Sequence, residues 1–194
     1  MPVVGTDDCY PKNHKGEPPA LEKIRFTIRA EKCPNRRGVE AILKHFQSDF
    51  TGFDGVLSKL SSGGFDGAYL VGGYPDAWID ADTVKKFASL TTLIVQDFVR
   101  SPLTDTADVV LASATFAERE GTVVNHAGLA QLFRPALRPA QDVRTDGRLL
   151  MELAGRKGLF HSPSIRSEIA EKIPALKALA CGELGELGMK VLEV

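Results

Sequence analysis

Acidic residues at the ends of apolar stretches are where this chain could do chemistry. Asp97 closes "TTLIVQD", Asp105 and Asp108 flank Thr106, and Glu118 and Glu120 form the knot "EREG" within "ATFAEREGTVVNHAGLAQ", ahead of His126. Two carboxyls that converge on one substrate can share acid and base roles. A lone Asp at a strand end can accept hydrogen bonds from a ribose or a guanine edge. Each acid also has a plainer role. Asp97 can cap the next turn, Asp105 and Asp108 can cap the turn before a strand, and Glu118 and Glu120 can sit solvated or paired with Arg119. Spacing does not choose between these. No Gly-x-Ser-x-Gly pattern or supported Cys/His pair supplies a nucleophile. A self-contained enzyme built on Asp97, Glu118 and Glu120 is therefore the weakest reading, and no catalytic residue is assigned.

Metal chemistry has equally little to stand on. Cys9, Cys33 and Cys181 are far apart and none forms a Cys-x-x-Cys pair. The histidines His14, His45, His126 and His161 do not pair at ligand spacing. No metal site, and no disulfide framework, is expected from this chain alone.

The 194 residues suffice for one ordinary domain with a real core. Apolar residues make up 43% and charged residues 25%, as in a folded soluble chain. The formal net charge of −1 does not point to nucleic acid as a partner. No apolar run approaches the roughly 18 residues that span a bilayer, and the N-terminal "MPVVGTDDCYPKNHKGEPPA" lacks a signal pattern. A cytoplasmic location is the expectation.

The elements that must position the acids read as follows. Residues 1–20 form an irregular arm, residues 21–170 an α/β domain and residues 171–194 a tail. "KIRFTIRA" alternates as a half-buried strand. "CPNRRGVEAILKHF" predicts a helix capped by Asn35, with Val39, Ile42, Leu43 and Phe46 on its inner face. Val56, Leu57 and Leu60 mark a second helix that stops at "SSGG". "GAYLVGGYP", "TTLIVQDF" and "DVVLAS" predict three strands, each apolar enough for burial on both faces. A helix over "IDADTVKKFASL" separates the first two, with Asp80 or Asp82 as its cap and Trp78 as a packing anchor below the first loop. This βαβ order implies a parallel, doubly wound, Rossmann-like sheet flanked by helices. Further on, "GLAQLFRPAL" reads as a strand or an extended arm. "RTDGRLLMELAGRKG" reads as a helix with Leu149, Leu150 and Leu153 on one side, stopped at Gly158 after a basic last turn. "SPSIRSEIAEKI" reads as a Ser-capped helix that ends before Pro174.

In such sheets ligands bind beyond the carboxyl ends of the strands. Three loops qualify: "GGYPDAW", the stretch from "QDFVRSP", and "SATFAEREGT". Neither Gly-x-Gly-x-x-Gly nor a Walker A loop is present, so glycines that shape turns explain the first loop as well as a nucleotide does.

An ordered series of segments carries a resemblance. "LVGGYP", then "LIVQDFVRSPLTDTADVVLASATFAEREGTVVN", then "GLAQLFRPALRP", then "LMELAGRKG" is similar to the molybdopterin oxidoreductase superfamily. Within it, the series most resembles the large iron–sulfur (G, or 75 kDa) subunit of respiratory NADH-quinone oxidoreductase, complex I. "CPNRRGVEAIL" resembles the family's Asn-x-Arg-Gly segment. The likeness covers most of residues 24–160, and the stretch from Ala107 to Asn125 is its most specific part. The chain departs from the pattern at three places. Gly73-Tyr74-Pro75 replaces a Gly-x-Asn-Pro ending, Ser113 follows Leu111-Ala112 where Leu-Pro-Ala is usual, and "HAGLAQ" stands in place of Glu-Gly-Arg-x-Gln.

The resemblance implies one domain from the C-terminal part of such a subunit. That domain would be a scaffold in electron transfer from NADH to quinone, with no redox centre of its own. The iron–sulfur clusters would lie on an N-terminal part of the full subunit. Partners would be other domains or subunits of a respiratory complex, with the membrane reached only through that complex, at its inner face. The alternative is a module for a nucleotide or a molybdopterin dinucleotide, completed by a partner domain. By family carry-over, Gly72, Gly73, Tyr74, Gln96, Asp97 and Thr104 would lie nearest such a cofactor. Glu118, Gly121, Thr122 and Asn125 would frame a sharp turn. Gly121 would permit the reversal, and the Thr and Asn side chains would satisfy loop backbone groups.

Overall fold

A computed structural model of the chain describes residues 33–48, 50–76 and 78–193. The expected N-terminal arm, the strand over "KIRFTIRA", Cys9 and His14 lie outside the described residues. The described part contains two three-stranded sheets and six α-helices.

The first sheet is parallel, in the order β1 (Gly67–Val71), β2 (Thr92–Asp97), β3 (Val109–Ala112). Its register pairs Val71 with Gln96 and Asp97 with Ala112, so these residues line one end of the sheet. Helix α3 (Ala81–Lys86) connects β1 to β2, and α4 (Pro102–Thr106) connects β2 to β3. Asp80 starts α3 by accepting the amides of Asp82 (3.0 Å) and Thr83 (2.9 Å). Ser101 and Thr104 start α4 as a capping box. At the far end of the sheet Asp108 accepts the Leu93 amide at 2.7 Å, which pins β3 to β2.

One face of this sheet is covered at β1 and β2, while Val110 of β3 on the same face is 48% exposed. Ala68, Leu70, Leu93 and Val95 pack with Leu60 of α2 (Phe53–Ser61), Val84 of α3, Phe87 and Leu103 of α4. Full burial of each large side chain is worth about 1.5–3 kcal/mol over exposure. Among the described residues the opposite face has no comparable layer. Tyr69 (38% exposed), Val71 (54%) and Val109 (45%) point that way, and only the Gln96 end is covered. The expectation of strands buried on both faces therefore holds for β2 and fails for β1 and β3. Among the described strands these are the two edges, and each leaves apolar surface open to solvent. The order 1-2-3 contains no reversal among the described strands.

The second sheet is antiparallel, in the order β4 (Gly121–Val124), β5 (Leu129–Phe133), β6 (Met189–Lys190). Helix α1 (Arg36–Phe46), α6 (Ser162–Lys172) and the 3-10 turn Pro174–Ala180 pack on it. Val124 and Ala130 share a core with Ala170, Ile173, Leu176, Leu179, Leu184 and Val191. Ile173, Leu176, Leu179, Leu184 and Val191 thus bury their side chains with those of the sheet, while Leu187 is exposed.

Several local expectations are corrected. Asn35 stands at the start of α1, but its side chain does not cap the helix. It accepts the amide of Val124 at 2.8 Å and ties α1 to β4. Of the face predicted for α1, Ile42 meets the core while Val39, Leu43 and Phe46 are exposed. Helix α5 (Asp146–Leu153) buries Leu149, while Leu150 and Leu153 face out. It stops at Gly155, whose φ of 66° closes the turn, and its last turn carries no basic residue. Ser162 is the first residue of α6 and His161 is its cap position. "GLAQLF" resolves to a strand, β5.

Candidate functional site

The carboxyl end of the parallel sheet gathers a tight polar arrangement from three separate segments. Asp97, the last residue of β2, is 4% exposed. Its Oδ1 accepts the following Phe98 amide at 2.8 Å, and its Oδ2 accepts Trp78 Nε1 at 3.1 Å. Trp78 in turn meets Phe53 edge-on, with ring centres 6.3 Å apart. The Gly72 amide donates to the Gln96 carbonyl at 2.8 Å, so the glycine loop leaves β1 directly over Asp97. A Cβ on Gly72 would collide with the Asp97 carboxylate. That position therefore demands glycine for space, with no unusual φ involved.

Gln96 points to the other face and is fully buried. Its Nε2 donates to Asp146 Oδ1 at 2.7 Å, and its Oε1 accepts the Tyr69 hydroxyl. The other Asp146 oxygen pairs with Arg119. One chain of contacts, Tyr69–Gln96–Asp146–Arg119, therefore ties β1, β2 and the start of α5 to the "EREG" corner. Burial pushes the Tyr69 hydroxyl's pKa up and the Arg119 guanidinium's pKa down. Ser113 runs alongside Arg144, and the Ala114 amide donates to the Arg144 carbonyl at 3.0 Å.

Of the six residues carried over as nearest a cofactor, Gly72, Gln96 and Asp97 come together as one unit. Thr104 is used inside α4, where its Oγ1 accepts the Ser101 amide and donates to the Ser101 carbonyl, both at 2.8 Å. It also lines a groove of about 330 Å³ with Asp97, Phe98, Val110 and Ala112. Gly73 and Tyr74 lie in the exposed loop, where Gly73 has φ 139° and open space around it.

The "EREG" corner is built differently from the expected polar turn. Glu118 Oε2 accepts the Thr115 amide (2.8 Å) and hydroxyl (3.0 Å), which closes a one-turn 3-10 helix, Phe116–Glu118. Glu120 Oε1 accepts the Ser162 amide at 2.9 Å and so holds the start of α6. Asn125 accepts the amides of Ala127 (2.8 Å) and Leu129 (3.1 Å). The reversal falls at Gly128, with φ 75°, and not at Gly121. Gly121 opens β4 under the ring of Phe133, which a Cβ would meet at 2.6 Å. Thr122 satisfies no loop group, because its buried Oγ1 has no hydrogen-bond partner among the described residues. His126 is exposed at the turn. The sequence reading missed Tyr69, Arg119 and Asp146, whose partners lie 27 to 50 residues away or across elements; no local motif marks them.

Among the described residues no group of three or more His, Cys, Asp or Glu is placed to hold a metal ion, and no helix is long and apolar enough to cross a membrane. Cys33 and Cys181 are not disulfide-bonded. Among the described residues no such ligand group is present for an iron–sulfur cluster or a molybdenum ion. A nucleotide edge fits only in part. Gln96 and the Asp97 oxygens already have partners, which leaves the open backbone at Gly73 and the groove beside Thr104.

The comparisons agree with this architecture. A family model described as molybdopterin oxidoreductase matches residues 48–156. Formate dehydrogenase H of Escherichia coli is 28% identical over 88% of this chain and 24% of its own length. A G-type subunit of the NADH-quinone oxidoreductase of Rhizobium meliloti is 30% identical over 70% of the chain and 16% of its length. The assimilatory nitrate reductase of Haloferax mediterranei is 34% identical over 54% of the chain and 14% of its length. The chain thus spans a quarter or less of these relatives, which differ in named activity. The NADH-quinone oxidoreductase protein suggested by the sequence is one relative among several. With the model match covering more than half of the residues, the chain belongs to the molybdopterin oxidoreductase family.

Proposed function

We propose that this chain is a scaffold domain of a larger molybdopterin-oxidoreductase-type assembly, one that docks through the bare face of its parallel sheet and holds no redox centre of its own. The bare face carries the reading. Parallel sheets are stable with both faces covered, yet Tyr69, Val71 and Val109 stand exposed on one side. A layer from elsewhere in the assembly would cover them and complete a doubly wound sheet. The chain matches only a small part of each relative's length, which supports such a missing layer.

Within that reading, a place in an NADH-quinone oxidoreductase-like complex is our preferred setting. It rests on the Ala107–Asn125 segment and on the relative from the Rhizobium meliloti NADH-quinone oxidoreductase. Iron–sulfur clusters would then sit on other parts of the complex. Location would be cytoplasmic, peripheral on the inner face of a membrane-bound assembly. Purified chain should show neither stoichiometric iron or molybdenum nor visible absorbance. Either metal at one atom per chain would overturn the scaffold reading.

A second reading has its own observation. The open Gly73 backbone and the groove between Asp97 and Thr104 could receive part of a nucleotide or a molybdopterin dinucleotide. A guanine nucleotide at about 1 mM should then raise the melting temperature, by mass action on the folded state. No shift at that concentration counts against it.

A further inference from the structure

A cavity of about 220 Å³ lies between β4, α6 and the 3-10 turn after it, away from the sheet end described above. Its walls are mostly apolar, including Ile42, Phe160, Ile165 and Leu176. Two polar side chains that border it are unsatisfied among the described residues. Arg166 is 6% exposed, and its Nε and Nη1 have no hydrogen-bond partner. Only its Nη2 is used, donating to the Gly182 carbonyl at 2.8 Å. Thr122, on the facing strand, has a buried and unpartnered Oγ1. Glu120 borders the neighbouring groove, but its carboxylate is held by the Ser162 amide, and among the described residues it makes no ion pair with Arg166.

A guanidinium withdrawn from water needs an anionic or strongly accepting partner. Loss of one hydrogen-bond partner in such a place is already costly. Here the partner is missing for two of three nitrogens, and a hydroxyl across the cavity is missing one as well. Asn35 and Ser162 also border the cavity, Asn35 with its Oδ1 accepting the Val124 amide and Ser162 with its amide donating to Glu120, and the remaining side chains of the wall are apolar. We infer that the cavity binds a small monocarboxylate, with its carboxylate on Arg166 and Thr122 and its aliphatic part against Ile42, Phe160 and Leu176. The fit is to a planar, singly charged head that accepts several N–H groups. A larger or multiply charged anion would strand charge against the apolar walls.

Titration calorimetry on the full chain with butyrate and hexanoate tests the site, with hexan-1-ol and inorganic phosphate as controls. The expected result is saturable binding of hexanoate, at least tenfold weaker binding of hexan-1-ol and of phosphate, at least a tenfold loss of affinity in Arg166→Met and a several-fold loss in Thr122→Val. Circular dichroism establishes that each variant is folded. Should Arg166→Met not fold, Thr122→Val and the alcohol control decide. The inference is overturned if folded wild-type chain shows no saturable hexanoate binding up to about 10 mM, if hexan-1-ol or phosphate binds as well as hexanoate, or if Thr122→Val binds unchanged.

Discussion

Gly72 lies against the carboxylate of Asp97, so close that no other residue type fits there without moving a buried acid. The Asp97 oxygens are meanwhile held by Trp78 and by the Phe98 amide. The glycine loop and the strand-end acid are thus one structural unit. Gly72→Ala should destabilise the chain by about 1–3 kcal/mol, the usual cost of overpacking. Combining it with Asp97→Ser should recover part of that loss, because the smaller side chain frees the space. Urea unfolding of the two single variants and the double variant measures the coupling. Additive losses would contradict the close approach.

Gln96 links two sheet strands to Asp146, and Asp146 neutralises a half-buried Arg119. Gln96→Leu should cost about 1–3 kcal/mol by leaving Asp146 short of a donor and the Tyr69 hydroxyl without its acceptor. Desolvation raises the Tyr69 phenol pKa, and Leu at position 96 does not relieve it, so the phenol should stay above its ordinary value in this variant. Absorbance titration of the tyrosines checks the shift.

Glu118 closes its turn through Thr115, so Glu118→Ala should lower stability by about 0.5–2 kcal/mol, a typical cap loss. Gly121→Val should be destabilising as well, through the Phe133 ring that lies over it. Phe133→Ala should relieve that clash, though at its own packing cost. Thermal melts of the single and paired variants measure both effects.

Two exposed carboxylates set an acid-side dependence. Hydrogen bonds from Thr83 hold Asp80 below its ordinary pKa, and Arg156 does the same for Glu168. A carboxyl whose pKa is depressed by folding stabilises the fold above its unfolded pKa, and that contribution is lost as pH falls through the folded value. The melting temperature should therefore fall on acidification from neutral pH to below the usual carboxyl range. Asp80→Asn and Glu168→Gln should flatten that fall. An unchanged pH profile in both variants would contradict the assignment.

Much of the parallel sheet was legible in the sequence, because "GAYLV", "TLIVQD" and "VVLA" are short apolar runs separated by capped helices. The same runs misled about burial. Apolar character reports what a strand face can bury, not whether it is buried, and among the described residues nothing covers Val71 or Val109. The antiparallel sheet was harder to see. β4 is four residues long, and β6 is two residues, reached only after 55 intervening positions from β5. The polar network was hidden for the same reason. Nothing near Gln96 in sequence announces Asp146, and the capping role of Asn35 gave way to a strand 89 residues away.

The docking claim is tested most directly by the assembly state of the chain in extracts of its own cells. Native electrophoresis with an antibody against the chain should find it in a species far heavier than a monomer. Val71→Lys with Val109→Lys should release it as a monomer, while the purified variant keeps wild-type stability to within about 0.5 kcal/mol, as exposed substitutions do. Wild-type chain that runs free as a monomer, or a double variant that stays in the heavy species, would contradict the account.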